Sequence, residues 1–310
     1  MIDRHAILLI GRTGQVAWEL QRSLAPLGAL VVLDRLQLDL TDATAIRRVV
    51  RQIRPAVIVN AAAYTNVDGA EDDGVTAFAI NASAPRVMAE EARDIGATLV
   101  HYSTDYVFDG KLARPYTELD LPAPINEYGR SKLAGEQAIR AIGCAHLILR
   151  TSWVYAARGR NFVRTILRLA AERDAVRVVD DQIGAPTWAR FIAEATAAML
   201  WRVQWDSVAR EWVSRGEMVH LANDGATSWF GLAKRAIEMY AALSGRKLAA
   251  VEPIPSEGYP TRAARPRNSR LDLSRLIEGW GITAPPWQES LALCIEELVA
   301  QERAATTAAT

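Results

Sequence analysis

The aliphatic run Ala6-Ile7-Leu8-Leu9-Ile10 stops at Gly11-Arg12-Thr13-Gly14-Gln15-Val16-Ala17, which leads into Trp18-Glu19-Leu20-Gln21-Arg22-Ser23-Leu24. A short apolar run from His5 to Ile10 reads as a buried strand, and apolar side chains at 16, 20 and 24 have the spacing of one helix face. Strand, glycine turn and helix in succession make a dinucleotide-binding arrangement. Glycines let backbone approach a pyrophosphate, and the helix N-terminus offers free N–H groups and the positive end of its dipole. The spacing is Gly-x-x-Gly-x-x-Ala, and Ala17 stands where a third glycine would allow close helix–sheet packing. Alone, such a turn is equally an ordinary βα loop.

The units that follow give it weight. A second strand, Leu30 to Leu33, ends at Asp34, about 20 residues past the glycine turn, where an acid can bind ribose hydroxyls. Arg35 beside it can accept a 2′-phosphate, so the pair leaves NADH and NADPH both open. Asp39-Leu40 precedes a helix from Ala43 to Ile53, capped near Thr41 or Asp42. A third strand, Pro55 to Asn60, runs into Ala61-Ala62-Ala63-Tyr64-Thr65, small residues against which a flat ring and its ribose can lie. Helices are expected over 75–82 and 84–95. A fourth strand, Thr98 to Tyr102, delivers Ser103-Thr104-Asp105 to the carboxyl edge of the sheet, where ligands bind. The bland alternative is a turn cap, a common use of these residues. A fifth strand, Leu147 to Tyr155, exposes Trp153 near its end.

Tyr128-Gly129-Arg130-Ser131-Lys132 opens a further helix. Tyr and Lys four apart share a helix face. A neighbouring ammonium favours phenolate and is expected to lower the phenol's pKa, making Tyr128 a proton donor to a developing alkoxide with Lys132 as its tuner. An ordinary surface pair is the competing reading.

The pattern loosens after residue 155. Helices are expected over 161–171, 188–205, 229–243 and 287–301, and strands at Val176 to Val179 and Met218 to Ala222. Arg262, Arg265, Arg267, Arg270 and Arg275 form either a solvated basic loop or a clamp on a diphosphate. The fold class is α/β: a doubly wound parallel sheet over residues 1–150, to which later segments return. A smaller mixed α/β substrate part covers 151–303, and 304–310 is expected to be a flexible tail.

Composition narrows the class. The 36 basic and 36 acidic residues cancel, so no net field favours nucleic acid or a membrane surface. Cys144 and Cys294 are too far apart to suggest a disulfide framework, and four histidines show no zinc spacing. No run is long enough for a membrane span. A reduced, cytoplasmic protein is expected.

Taken together, the glycine turn, Asp34, Ala62-Ala63, Ser103-Thr104-Asp105 and Tyr128-x-x-x-Lys132 resemble an extended short-chain dehydrogenase/reductase. Asn60 to Thr65, His101 to Phe108, Arg150 to Tyr155, Asp181 to Thr187 and Arg265 to Leu271 narrow the likeness to the dTDP-4-dehydrorhamnose reductases, over Ile7 to about Leu298. The resemblance implies reduction of the 4-keto group of a dTDP-6-deoxy-hexulose to dTDP-L-rhamnose with NADPH or NADH. It makes Tyr128 the proton donor, Lys132 its partner and a ribose ligand, and Thr104 a bond to the keto oxygen or to Tyr128. Asp105, Trp153 and Arg265 are assigned to the substrate, and Gly11, Arg12, Thr13, Gly14, Gln15 and Val16 to the pyrophosphate. Asp34, Asp39, Leu40, Ala62, Ala63, Tyr64 and Thr65 line the remainder of the coenzyme site. Some members hold Mg²⁺ through glutamates at a dimer contact. Glu19 and Glu297 are present, but Arg190 stands where a third glutamate is expected, so weak or absent metal dependence is anticipated; a homodimer is carried as an expectation. Two alternatives stay open. One is a non-catalytic, cofactor-binding regulatory subunit of the same fold. The other is a nucleotide-sugar epimerase or dehydratase, although Tyr106 follows Asp105 where dehydratases place a glutamate.

Overall fold

The structure is a computed structural model that describes residues 6–309; His5 lies outside the described residues. Five aliphatic runs form β1 (Ala6–Ile10), β2 (Ala29–Leu33), β3 (Val57–Asn60), β4 (Thr98–Thr104) and β5 (His146–Thr151). Between them lie α1 (Gln15–Ser23), α2 (Ala43–Ile53), α3 (Gly69–Asp72), α4 (Gly74–Phe78), α5 (Ala84–Ile95) and α6 (Glu127–Ile142). The strands are parallel, with β2 on one side of β1 and β3, β4 and β5 in turn on the other. The order reverses at β1 and opens a crevice beyond the strand ends.

Why the runs lack polar positions is clear from the packing. Successive strand residues point to opposite faces, and both faces are covered. Ile7, Leu9, Val59, Val100, Leu147 and Leu149 enter one core, and Leu8, Ile10, Ile58, Leu99 and Ile148 enter the other. The first core meets α1, and the second meets α2 and α5. Asp42 caps α2 by accepting from the Ala45 N–H at 3.0 Å.

The second half comprises β6 (Val154–Tyr155), α7 (Phe162–Glu172), β7 (Ala175–Val179), β8 (Ile183–Gly184), β9 (Thr187–Trp188), α8 (Ala189–Trp205) and α9 (Ser207–Arg215). It continues with β10 (Glu217–His220), β11 (Thr227–Ser228), α10 (Trp229–Ser244), β12 (Ala250–Ile254) and α11 (Trp287–Ala309). β10 pairs with β5 and completes the six-stranded sheet. α8 packs on α1, and its apolar residues join the first core, so that core runs through both halves of the chain.

Three local expectations change. The fifth strand does not reach Tyr155 unbroken: it ends at Thr151, and Trp153 takes φ +46° before β6 resumes. The two helices expected over 75–82 and 84–95 are linked through a π-helical turn, Ala79–Ser83. The tail is not a flexible coil over its described part, because α11 runs on to Ala309. Alanine is the best helix former, and the Arg303 guanidinium donates to the Leu243 carbonyl at 2.7 Å, fastening that end to α10. α9 and β12 were not anticipated: α9 spans only nine residues, and β12 carries Pro253, a residue that removes a ladder donor.

Candidate active site

The crevice at the switch point is a cleft of about 480 Å³. Its wall contains Gly11 to Val16, Asp34, Asp39, Leu40, Ala62, Ala63 and Thr65, and its inner end contains Tyr128 and Lys132. Tyr128 and Lys132, more than 100 positions after the glycine turn, thus converge with it. Arg35 and Ser103, both offered a ligand contact from sequence, also line it, as do Thr151, Val154 and Arg160, which were given no cleft role. Tyr64 does not reach the cleft wall. Its backbone is clamped instead by Asn81, whose Oδ1 accepts from the Tyr64 N–H at 2.9 Å and whose Nδ2 donates to the Tyr64 carbonyl at 3.0 Å.

The turn suits an anionic ligand. Gly11 has φ +109°, which an L side chain resists, and a Cβ there would meet the Ala61–Ala62 backbone at 3.1 Å. Gly14 caps α1 with no side-chain hydrogen bond, so the first N–H groups of the helix keep their donors for a ligand. Asp34 accepts from the Leu36 N–H at 2.9 Å and the Gln37 N–H at 3.1 Å, which fixes its carboxylate at the cleft wall.

Helix α6 is seated by close backbone contact. A Cβ at Gly129 would lie 2.2 Å from the Tyr106 carbonyl oxygen, and one at Gly135 would lie 2.1 Å from that of Asn81. Only glycine allows α6 to approach this closely, and the approach sets Tyr128 and Lys132 against the end of β4. Asn126 caps the helix by accepting from the Gly129 N–H at 2.7 Å and ties it to the late loop by donating to the Ala264 carbonyl at 2.8 Å. The edge of Tyr106 meets the Tyr128 ring, with centroids 6.0 Å apart and planes at 81°.

The electrostatics differ from the expectation. Tyr128 is pushed up to about 12, chiefly by burial of its hydroxyl, with Thr104 pulling it down and the Asp105 carboxylate pushing it up. Lys132 does not lower it. The Lys132 side chain is turned toward β4, where Nζ donates to the Tyr102 carbonyl at 2.6 Å and stands 3.3 Å from His101 Nε2. Burial also drops Lys132 to about 8, against the opposing pull of Glu136. Thr104 donates to Asp105 Oδ1 at 2.9 Å, and burial raises Asp105 to about 7, partly offset by the Ser269 and Thr104 hydroxyls.

The remaining predicted residues separate into two sets. Trp153 projects at the break after β5, stacked on Trp229. The five late arginines do not converge on one point. Arg265 donates to Asp68 at 2.8 Å and to the Ala263 carbonyl at 2.8 Å, Arg267 pairs with Glu257 at 3.2 Å, and Arg275 donates to the Met218 carbonyl at 3.1 Å. Arg262 pairs with Asp72, and Arg270 donates to Asn268 at 2.8 Å. A five-membered diphosphate clamp does not form, because each guanidinium already has acceptors within the protein. The carboxylates proposed for a metal are likewise engaged. Arg190 donates to Glu19 at 3.1 Å and to Glu297 at 2.8 Å, placing a fixed cation between them, so these residues do not fit a divalent ion.

Residues 5–300 match the family model described as RmlD substrate binding domain. The chain belongs to the dTDP-4-dehydrorhamnose reductase family. It is 46% identical to a dTDP-4-dehydrorhamnose reductase of Burkholderia thailandensis over 95% of this chain and 99% of the relative. It is 43% identical to that of Escherichia coli K12, over 94% and 97% of the two chains. Among solved structures, a dTDP-4-dehydrorhamnose reductase of Bacillus anthracis in complex with NADP superposes with a TM-score of 0.83 at 36% identity, over 95% of this chain and 99% of that one. Asn60, Asn81, His101 and Trp229, which hold cleft-side backbone, Lys132 and Trp153, were given no role from sequence. His101 carried a weak signal, an imidazole directly after the aliphatic pair Leu99-Val100 and two residues before Ser103; Trp229 carried none, because its partner is 76 positions away.

Proposed function

We propose that the protein catalyses the NAD(P)H-dependent reduction of the 4-keto group of dTDP-4-dehydro-6-deoxy-L-mannose to dTDP-L-rhamnose, the last step of dTDP-rhamnose synthesis. The observation that carries this reading is the meeting of Tyr128 and Lys132 with the glycine turn in one cleft, beside the end of β4. A bound nicotinamide coenzyme supplies the hydride. Tyr128 protonates the keto oxygen as negative charge develops there. A phenol near 12 stays fully protonated at neutral pH, yet it is a stronger acid than the alcohol being formed, so the transfer runs downhill. Thr104 steadies the same oxygen or the phenolate left behind. Asp105 and Trp153 contact the sugar, Arg265 reaches the substrate only by exchanging Asp68 for it, and Lys132 holds the ribose.

The same proposal assigns coenzyme binding mainly to residues 1–150 and substrate contacts mainly to 151–303. Arg35 on the cleft wall supports use of NADPH, and Asp34 beside it supports NADH. A divalent metal is not required, a reading supported by the guanidinium of Arg190 between Glu19 and Glu297. Among the described residues no helix is long and apolar enough to cross a membrane. A cytoplasmic location is supported by two free thiols, Cys144 and Cys294. A homodimer follows from the family resemblance and is checked by analytical ultracentrifugation.

The deciding assay mixes the protein with the 4-keto-6-deoxy nucleotide sugar and NADPH and follows absorbance at 340 nm. Tyr128→Phe is expected to bind coenzyme as wild type while kcat falls by about 10²–10⁴. Full turnover in that variant would remove Tyr128 from its role.

A further inference from the structure

Beneath the cleft, a line of buried side chains runs from the coenzyme-facing backbone to Lys132. Asn60, at the end of β3, accepts from the Ala62 N–H through Oδ1 at 3.3 Å. Its Nδ2 therefore faces His101 Nδ1, at 3.1 Å. The opposite amide orientation would set the NH₂ against the Ala62 N–H. Asn60, His101 and Lys132 are only 1%, 1% and 2% exposed, so water does not rearrange these contacts.

The orientation has a consequence for protons. An amide NH₂ can only donate, so His101 Nδ1 accepts, and a neutral ring then carries its hydrogen on Nε2. That N–H points at Lys132 Nζ, 3.3 Å away. Opposite an ammonium it would be donor against donor. Opposite a neutral amine it meets a lone pair, while the amine's own N–H serves the Tyr102 carbonyl at 2.6 Å. The line is fully satisfied only with an uncharged lysine.

We propose that His101, oriented by Asn60, is a positioning residue that holds Lys132 as a neutral amine in the coenzyme-free protein under mildly alkaline conditions. Coenzyme binding frees Lys132 from His101 with uptake of one proton from solvent. This rests on the reading of the cleft as a coenzyme site. The balance is simple: the amine lone pair takes a proton, the ammonium turns from His101 Nε2–H toward the cleft, and His101 stays neutral. The driving charge is the coenzyme's phosphates. The groups around the pair do not supply that charge beforehand. From α6, Glu136 has both oxygens on Arg150, at 2.8 and 2.6 Å, and Tyr128 is a neutral phenol. From β5, His146 is held neutral by burial, with Nδ1 on the Cys144 carbonyl at 2.8 Å. Just past the end of β4, Asp105 is itself raised by burial and bonded to Thr104. Burial lowers His101 well below its ordinary range and lowers Lys132, in the same sense as the geometry.

Two measurements on the intact protein test this. Nitrogen-15 shifts of the histidine rings in the coenzyme-free protein should show His101 with its hydrogen on Nε2; a hydrogen on Nδ1 overturns the proposal. Titration calorimetry with NADPH near pH 9, in buffers of different ionisation enthalpy, should show about one proton taken up per coenzyme, declining as the pH is lowered toward 7. Binding heat without proton uptake near pH 9 overturns it as well. Asn60→Asp places an acceptor at His101 Nδ1, moves the hydrogen to Nδ1 and should cut the uptake at least about threefold. An undiminished uptake in a variant whose tautomer has moved would separate His101 from the lysine. Absence of any binding heat would sink the coenzyme reading instead, and the free-protein tautomer would still decide the inference.

Discussion

The indole of Trp153 lies flat on that of Trp229, ring centroids 3.5 Å apart and planes within 4°. The contact joins the break after β5 to the first residue of α10, and Phe162 backs Trp229 at 4.6 Å. Trp153 sits at φ +46°, a conformation costing about 1–3 kcal/mol that persists only when its surroundings hold it. Trp229→Leu is expected to release Trp153. The KM for the nucleotide sugar should rise about tenfold, equivalent to about 1.4 kcal/mol, with coenzyme affinity unchanged. Steady-state kinetics and the loss of the coupled indole band in circular dichroism check this. An unchanged KM would separate the stack from substrate binding.

Lys132 makes a pH-dependent contribution to stability. Its folded pKa, about 8, lies below the 10.5 of the free side chain. Between those values the unfolded chain binds the proton and the folded chain does not, so stability rises with pH across that window and is lost again as pH falls toward 8. Urea unfolding of wild type and Lys132→Met should show their difference shifting toward wild type between pH 8 and 10.5, by at most about 3 kcal/mol. A pH-independent difference would contradict the burial of this amine.

Arg190 is the fixed cation between Glu19 and Glu297. EDTA should leave activity and melting temperature unchanged. Arg190→Ala strands the buried Glu19 carboxylate and should cost about 1–3 kcal/mol in chemical denaturation. Arg190→Glu gathers three carboxylates, and its melting temperature should rise on adding Mg²⁺ while that of wild type does not. Loss of wild-type activity in EDTA, restored by Mg²⁺, would refute metal independence.

Arg150 and Glu136 form a two-pronged ion pair at 2% exposure each, behind the site, with the guanidinium 5.0 Å from the Phe108 ring. Glu136→Gln leaves a buried, uncompensated arginine and is expected to destabilise the fold by about 3–5 kcal/mol, read from urea midpoints. Replacing both partners, as Glu136→Met with Arg150→Leu, should recover most of the loss; a double variant as unstable as the single one would argue against a charge effect.

Strand and helix order, the glycine turn and the pairing of Tyr128 with Lys132 follow from local rules: aliphatic runs need two covered faces, and a four-residue offset is one helical turn. Those rules are written in neighbouring residues, so the chain alone discloses the α/β class and most of the cleft wall. The tertiary structure decided what depends on distant partners. Lys132 faces Tyr102 and His101 rather than the phenol, because the depth of α6 is set by Gly129 and Gly135 against Tyr106 and Asn81. Arg265 and Arg190 are engaged by carboxylates far away in the chain. Burial moves Tyr128 up instead of down. Desolvation and ion pairing depend on which side chains end up side by side, and spacing along the chain does not encode that.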